Sequence, residues 1–179
     1  FESGIQMAVR KDSTIASYAD LRGQTVVAKT GAEGLRFAQS IADLRPRFVR
    51  FPGGCLAHGD GINNFYNWKE TVGPVEQRRG QRNLWGYHQS VGLGYLEYFQ
   101  FCEDLGAAPL YVGFCGQTCI FREREHVPME QMDWVRDNFL DVVEYANGAP
   151  DSQWGSLRAQ AGREKPFDLK LVEIGNENQ

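Results

Sequence analysis

The chain has 179 residues, enough for one domain of ordinary size with a sizeable core. Its hydrophobic share of 42% and charged share of 23% are typical of a globular domain. A net charge of −4 argues against nucleic-acid binding, because no basic stripe is available to neutralise phosphates. The sequence has no run of about eighteen apolar residues, so it predicts no membrane span.

The two ends and the cysteines add further expectations. The chain begins with neither an initiator Met nor a signal peptide and stops two residues after Glu177, so we expect a piece of a longer protein. Its four cysteines are too few and too scattered for a disulfide framework. Cys115 and Cys119 have a weak metal-type spacing that no second pair or histidine pattern completes. We expect buried thiols or one loop disulfide.

The first third of the chain predicts alternating strands and a helix. Residues 4–10 and 24–29 favour strands, and the second of these is apolar and β-branched enough to be buried. A helix is expected to follow Thr30 and Gly31 and to end near Leu44, ahead of Pro46.

A short strand, Phe48–Phe51, leads into a long polar and aromatic segment at residues 55–89. A connection of this length without strong periodicity is usually functional or disordered. Its aromatic residues favour a folded loop that covers the core or faces a sugar; they are Phe65, Tyr66, Trp68 and Trp85. We interpret the dispersed arginines of this region as a solvated face.

Two helices in the second half have clear apolar periodicity. The first repeats at steps of four and three, and Gly106 follows it where a helix C-cap belongs. A short apolar strand at 109–113 separates the two helices. The apolar positions are Val91, Tyr95, Tyr98, Cys102 and Leu105 in the first helix, and Met132, Val135, Phe139, Val142 and Ala146 in the second.

The last strand, at residues 169–174, is an apolar run that predicts a buried strand. The overall β-α-β-α-β-α-β order is typical of parallel strands covered by helices, either as half a barrel or as a small open sheet. In a barrel, catalytic groups lie at the carboxyl ends of the strands. Glu177 follows such an end and is therefore a candidate general acid/base, the alternative being a solvated turn carboxylate.

Several segments together carry a family resemblance. They include Arg50-Phe51-Pro52-Gly53-Gly54 after one strand and Ile174-Gly175-Asn176-Glu177 after another. Further parts occupy residues 44–49, 68–74, 83–87, 94–107, 144–148 and 165–170. From about residue 35 onward, over roughly four fifths of its length, the chain resembles the α-L-arabinofuranosidases of glycoside hydrolase family 51.

The resemblance implies an α/β fold, a partial (β/α)8 TIM barrel over residues 34–179. Family members remove terminal arabinofuranosyl groups from arabinan, arabinoxylan and related glycans, without a metal or other cofactor. It implies that Glu177 is the acid/base and that Asn176 binds the sugar's 2-hydroxyl. Arg50 would hold the nucleophile carboxylate ionised, or be an ordinary salt-bridge partner. Trp85 would line the arabinose pocket, or merely anchor the loop.

A retaining glycosidase needs a second carboxyl group, about 5–5.5 Å from the first, as nucleophile. By resemblance this glutamate belongs to a later barrel strand, so we expect the chain to lack it and to be inactive alone. Some relatives carry asparagine as a sugar ligand where this chain has Cys55, so we expect no direct role for Cys55.

Residues 1–33 resemble a different family, the amino-acid-binding periplasmic solute-binding proteins. In that family the turn at Thr30 and Gly31 opens a helix whose N-terminus meets the ligand, a physically favourable place for an anion. We therefore interpret the chain as a chimera of segments from two families, joined between Gly31 and Ile41. The junction is either a natural fusion or the result of an engineered or misassembled sequence. One parent family is periplasmic and the other occurs inside and outside cells, so the compartment stays open between cytoplasmic and secreted or periplasmic.

Three functional hypotheses follow. The first is an arabinofuranosidase fragment acting on arabinose-containing oligo- or polysaccharides. The second is a small α/β module that binds an amino acid or another anion at the Thr30–Gly31 helix start. The third is an inactive structural chimera whose exposed strand edges favour a homo-oligomer.

Overall fold

A computed structural model describes residues 33–178 of the chain. The chain divides into two compact units, Phe1–Asp43 and Leu44–Gln179. The strands predicted at 4–10 and 24–29 and the Thr30–Gly31 turn lie outside the described residues. Within the described range, no helix is long and apolar enough to cross a membrane.

Five helices and five strands make up the described part, together with several short 3-10 turns. The helices are α1 (Glu33–Leu44), α2 (Gly54–His58), α3 (Tyr95–Leu105), α4 (Asp133–Asn147) and α5 (Gln153–Gln160). The strands are β1 (Phe48–Phe51), β2 (Gln81–Arg82), β3 (His88–Gln89), β4 (Ala108–Gly113) and β5 (Leu171–Ile174).

The main sheet is parallel and has the order β1-β4-β5. Phe51 pairs with Tyr111 on the central strand β4, and Gly113 at the end of β4 pairs with Ile174. The three strands therefore end at one common edge. This confirms the expected parallel α/β arrangement, with helical connections between successive strands.

One face of the sheet packs against α3 and α4. Side chains alternate along a strand, so Val49 and Phe51 point to this face while Arg50 points away. Phe51 stacks on Tyr98 with ring centroids 4.8 Å apart, and the Tyr98 hydroxyl donates to the Val49 carbonyl at 2.6 Å. The side chains between the sheet and these two helices form the main hydrophobic core. Burial of each such side chain stabilises the fold by roughly 1.5–3 kcal/mol.

The prediction that the last strand is buried was wrong. Leu171, Val172 and Ile174 are 41%, 45% and 65% exposed. The reason is topological, because β5 hydrogen-bonds only to β4 among the described residues. An apolar strand at a sheet edge exposes the residues that a further neighbour would cover. A homo-oligomer formed through such edges stays a prediction.

The long segment after β1 is folded, and one of its arginines is buried. Arg78 is not part of a solvated face as interpreted from the sequence. Its guanidinium donates to both oxygens of Glu97, at 2.7 and 3.0 Å, and to the carbonyls of Gly73, Val91 and Gly92. Glu97 in turn accepts the backbone N–H of Gly94 and so caps α3. The loop is thus tied to the start of a core helix.

Candidate functional site

The carboxyl-terminal edge of the sheet brings together groups that are far apart in sequence. Arg50 in β1 donates from Nε to Oε2 of Glu173 at 2.7 Å and from Nη2 to Oε1 at 2.5 Å. Nη2 also donates to Oδ1 of Asn176 at 2.9 Å. Because β4 lies between β1 and β5, the Arg50 side chain reaches across the central strand. We call Arg50, Glu173, Asn176 and Glu177 the strand-end cluster.

The ion pair shifts both of its members toward their charged forms. The hydrogen bonds from Arg50 lower the pKa of Glu173, against the opposing effect of partial burial. The same hydrogen bonds, and the nearby charges of Glu173 and Glu177, raise the pKa of Arg50. Arg50 and Glu173 therefore form an ion pair in which Glu177 takes no part.

The turn after β5 depends on an unusual backbone. Gly175 has φ +72°, and a Cβ there would lie 2.3 Å from Asn178 Oδ1 and 2.6 Å from Cys115 Sγ. Glu177 itself has φ +49°, a left-handed conformation that is uncommon for any residue except glycine. Such outliers are enriched at functional sites, and at Glu177 the outlier coincides with the strand-end cluster.

Glu177 is exposed and has two side-chain neighbours. Asn176 Nδ2 donates to its Oε2 at 3.3 Å, and Cys55 Sγ lies 4.0 Å from the same oxygen. Burial, followed by the nearby Cys119 thiol, raises the pKa of Cys55 to about 11. The Cys55 thiol therefore stays protonated at neutral pH and can only donate weakly to the Glu177 carboxylate.

His58 stabilises the turn after β5 by a hydrogen bond to the backbone of Asn176. It is buried in α2, and its Nε2 accepts the backbone N–H of Asn176 at 2.6 Å. Its Nδ1 contacts the carbonyl oxygen of Gln117. An imidazole that accepts at Nε2 and donates at Nδ1 is the neutral tautomer. This ring holds the loops after β1, β4 and β5 together.

Trp85 lies apart from the strand-end cluster. It occupies the turn between β2 and β3, is 54% exposed, and stacks with Tyr87 at a centroid distance of 6.5 Å. Its backbone N–H donates to Asn83 Oδ1 at 3.0 Å. Among residues 33–178, hydrogen bonds and ring contacts join Trp85 to this hairpin and not to Arg50, Asn176 or Glu177. Its role in a sugar pocket stays a prediction.

Comparison with known proteins decides the family. Residues 40–179 match the model of the alpha-L-arabinofuranosidase 1 domain. The chain belongs to the α-L-arabinofuranosidase family. It is 47% identical over 141 residues to alpha-L-arabinofuranosidase 1 of Arabidopsis thaliana, and the aligned region covers 78% of this chain and 20% of that relative. It is 44% identical over 162 residues to an extracellular exo-alpha-L-arabinofuranosidase of Streptomyces chartreusis, covering 80% of this chain and 19% of that protein.

Solved structures of arabinofuranosidases have the same local fold. An arabinose-bound enzyme of glycoside hydrolase family 51 superposes with a TM-score of 0.75 at 34% identity, covering 79% of this chain and 22% of that one. A family 51 enzyme from Bifidobacterium longum gives 0.61 at 27% identity, covering 78% and 24%. The parallel sheet therefore resembles part of the arabinofuranosidase catalytic barrel. The chain spans about a fifth of the length of the curated relatives it matches.

These comparisons support the arabinofuranosidase resemblance and give no support to the solute-binding one. The residues that carry the second resemblance, 1–33, lie almost wholly outside the described part of the chain. The anion site predicted at Thr30–Gly31 lies there too.

Two members of this candidate site were missed by the sequence reasoning. Glu173 was counted within an apolar strand, although a charged residue in such a strand requires a partner, and that was the available signal. No role was predicted for His58, because no local pattern marks its contact with Asn176. Within residues 33–178, no group of three histidine, cysteine or acidic side chains is arranged to hold a metal ion.

Proposed function

We propose that this segment supplies the acid/base half of a retaining α-L-arabinofuranosidase that acts on arabinose-containing glycans. The observation that carries the proposal is the cluster of Arg50, Asn176 and Glu177 at the carboxyl end of parallel strands, in a chain of this family. Arabinose is the ligand of a related solved structure, which supports a pentose-binding site.

Glu177 is the proposed acid/base. As a carboxylic acid it donates a proton to the glycosidic oxygen while a second carboxylate attacks the anomeric carbon. As a carboxylate it then takes a proton from the water that hydrolyses the glycosyl-enzyme. Its exposure supports this role, because both the glycosidic oxygen and water must reach the carboxyl group.

Asn176 is the proposed ligand of the sugar's 2-hydroxyl, with Arg50 as its positioning partner. Arg50 occupies the amide oxygen of Asn176, which turns the Nδ2 donor toward Glu177 and the space beside it. The family resemblance places Arg50 beside the nucleophile carboxylate, whereas its partner among the described residues is Glu173. In this proposal Arg50 stabilises negative charge at the sheet edge and orients Asn176. Trp85 would contact the sugar from the hairpin.

We further infer that β1, β4 and β5 are neighbouring strands of a (β/α)8 barrel, with residues 34–179 as the barrel segment and 1–33 as a separate one. Support comes from the parallel order and from the face opposite α3 and α4, which carries the charged Arg50 and Glu173. In a barrel that face is the interior, and its upper end is the active site.

Grafting tests the proposal. Residues 44–178 replace the matching segment of the Streptomyces chartreusis relative, and hydrolysis of an arabino-oligosaccharide is measured. We expect the folded graft to be active and Glu177→Gln to reduce kcat about 10²- to 10⁴-fold, since a sugar leaving group needs the acid. Glu130→Gln, which changes an exposed carboxylate on a 3-10 turn, is the matched control. A Glu177→Gln graft as active as this control would refute the assignment.

A further inference from the structure

A cavity of about 540 Å³ opens between the long loop and the start of α4. Small-molecule sites have volumes of roughly 300–1,000 Å³, so this cavity is large enough for a ligand. None of its lining residues belongs to the strand-end cluster. Those used below are Asn63, Phe65, Glu70, Arg79, Gln81 and Trp134.

An aromatic platform forms one side of the cavity. Trp134 is 38% exposed and is held from behind by Phe114, with ring planes 20° apart and centroids at 5.9 Å. Phe65 stacks on Phe114 at 4.5 Å and also contacts Trp134 at 5.9 Å. The indole is therefore fixed by two rings while part of its surface faces the cavity. An aromatic face that is rigid before binding loses little entropy when a ligand packs on it.

Three polar side chains around the platform have no partner within residues 33–178. Asn63, Glu70 and Arg79 are all exposed, and no hydrogen bond or ion pair engages their side chains. In contrast, Asn64 donates to the Arg82 carbonyl at 2.9 Å, and Gln81 donates to the Asn64 carbonyl at 3.4 Å. The rim therefore combines fixed backbone geometry with free amide, carboxylate and guanidinium groups.

The charges of these free groups select the class of ligand. An anionic ligand would meet Glu70, and a cationic ligand would meet Arg79, so a neutral ligand fits the pair best. A sugar ring has an apolar C–H face that packs on an indole and hydroxyls that both donate and accept hydrogen bonds. We propose that this cavity is a second carbohydrate subsite, which binds a neutral sugar unit of an oligosaccharide away from Glu177.

The hairpin β2–β3 carries Gln81, which lines the cavity, and Trp85, which is exposed at its turn beside Tyr87. The subsite goes beyond the proposed hydrolysis, since it would bind sugar whether or not Glu177 acts as the acid/base.

The test is titration of the 179-residue chain with linear arabino- and xylo-oligosaccharides of four to six units, followed by calorimetry and NMR. We expect Trp134→Ala to weaken binding at least about tenfold, the worth of a good aromatic contact. Asn63→Ala and Glu70→Ala should each weaken it several-fold. Because these two side chains are exposed and unpaired, their removal leaves the fold intact even where Trp134→Ala disturbs Phe65 and Phe114.

Two control variants test whether the effects are specific to this subsite. Phe121→Ala removes another exposed aromatic side chain, and Glu164→Gln alters an exposed carboxylate outside both the cavity and the strand-end cluster. Both should bind as the parent chain does. The proposal is overturned if neither oligosaccharide binds at millimolar concentration, or if Asn63→Ala and Glu70→Ala bind normally. It is also overturned if Phe121→Ala weakens the binding as much as Trp134→Ala does. Failure of the hydrolysis assay alone would affect only the acid/base assignment.

Discussion

At the residue scale, the ion pair between Arg50 and Glu173 joins positions 123 residues apart. Taken singly, neither Arg50 in β1 nor Glu173 in β5 gives strong sequence evidence of an ion pair. Their meeting depends on β1 and β5 lying on either side of β4, which no local pattern specifies. Glu177 was predicted from its place after a strand and Asn176 from the family resemblance, whereas the pairing of Arg50 with Glu173 was not predicted.

This pair predicts a pH-dependent contribution to stability. The pKa of Glu173 is lower in the folded state than in the unfolded chain, so its contribution is present above the unfolded value of about 4.3 and is lost as pH falls through the folded value. The stability difference between the parent and Glu173→Gln should therefore shrink below about pH 4. Since both side chains are about a third exposed, we expect a difference under about 1 kcal/mol at pH 7.

Denaturant unfolding at a series of pH values measures this difference. Glu130→Gln is the control, because its carboxylate is exposed and outside any ion pair among the described residues. A Glu173→Gln penalty that grows on acidification would show that the pair does not stabilise the fold as described.

A second residue-scale prediction concerns Gly175. Gly175→Ala combines a positive φ with overlap on Asn178 and Cys115, so it should destabilise the protein by about 2 kcal/mol or more. Gly106→Ala is the matched control, because φ is +65° there and no atom lies within 4 Å of the added Cβ. We expect that control to cost only about 1 kcal/mol. Equal thermal shifts in the two variants would contradict the crowding at Gly175.

At the element scale, periodic or strongly apolar segments were predictable and short irregular ones were not. The strand Phe48–Phe51 was confirmed, and so was the helix before Gly106 from Tyr95 onward. Val91, predicted as part of that helix, precedes it with φ +48°. Gly106 has the left-handed conformation expected of a C-cap. The helix α5 was missed because Trp154 and Leu157 are too few to give it a period. The hairpin β2–β3 was missed because two-residue strands leave no alternation to detect.

The missed helix is held by a buried arginine. Arg158 in α5 donates to four backbone carbonyls, at 2.6 Å for Tyr145, 2.7 Å for Gly148, 2.9 Å for Glu164 and 3.1 Å for Arg163. The guanidinium thus joins α5 to the end of α4 and to the segment that follows α5. Burial lowers the pKa of Arg158, but an arginine stays charged throughout the working range of pH.

Arg158→Met should therefore destabilise the protein by about 3 kcal/mol or more, because it leaves the buried Tyr145 carbonyl and three partly buried carbonyls without their donor. Arg136→Met is the matched control, since Arg136 is exposed on α4 and its ion pairs within the described part of the chain are with Asp133 and Asp137. Exposed substitutions of this kind change stability by about 0.5 kcal/mol or less. Similar melting temperatures for the two variants would refute the role given to Arg158.

At the scale of the whole molecule, the class of fold followed from the alternation of short strands and helices, and the family followed from extended motifs. The exposure of β5 could not be predicted from the sequence, because an apolar strand has the same sequence pattern at the edge of a sheet as in its middle. The structure assigns one face of the sheet to the helices and leaves the other to Arg50 and Glu173. The strand-end cluster therefore lies on the face of the sheet that the helices leave uncovered.

Azide rescue tests most directly whether Glu177 acts as the proposed acid/base and not as the nucleophile. In the grafted enzyme, Glu177→Ala is assayed on p-nitrophenyl α-L-arabinofuranoside, whose leaving group departs without an acid. The glycosyl-enzyme should then accumulate because no base activates water. Azide needs no base, so it should restore turnover and yield an arabinofuranosyl azide of retained configuration. Unchanged turnover in Glu177→Ala, or a loss that azide does not restore, would contradict the assignment.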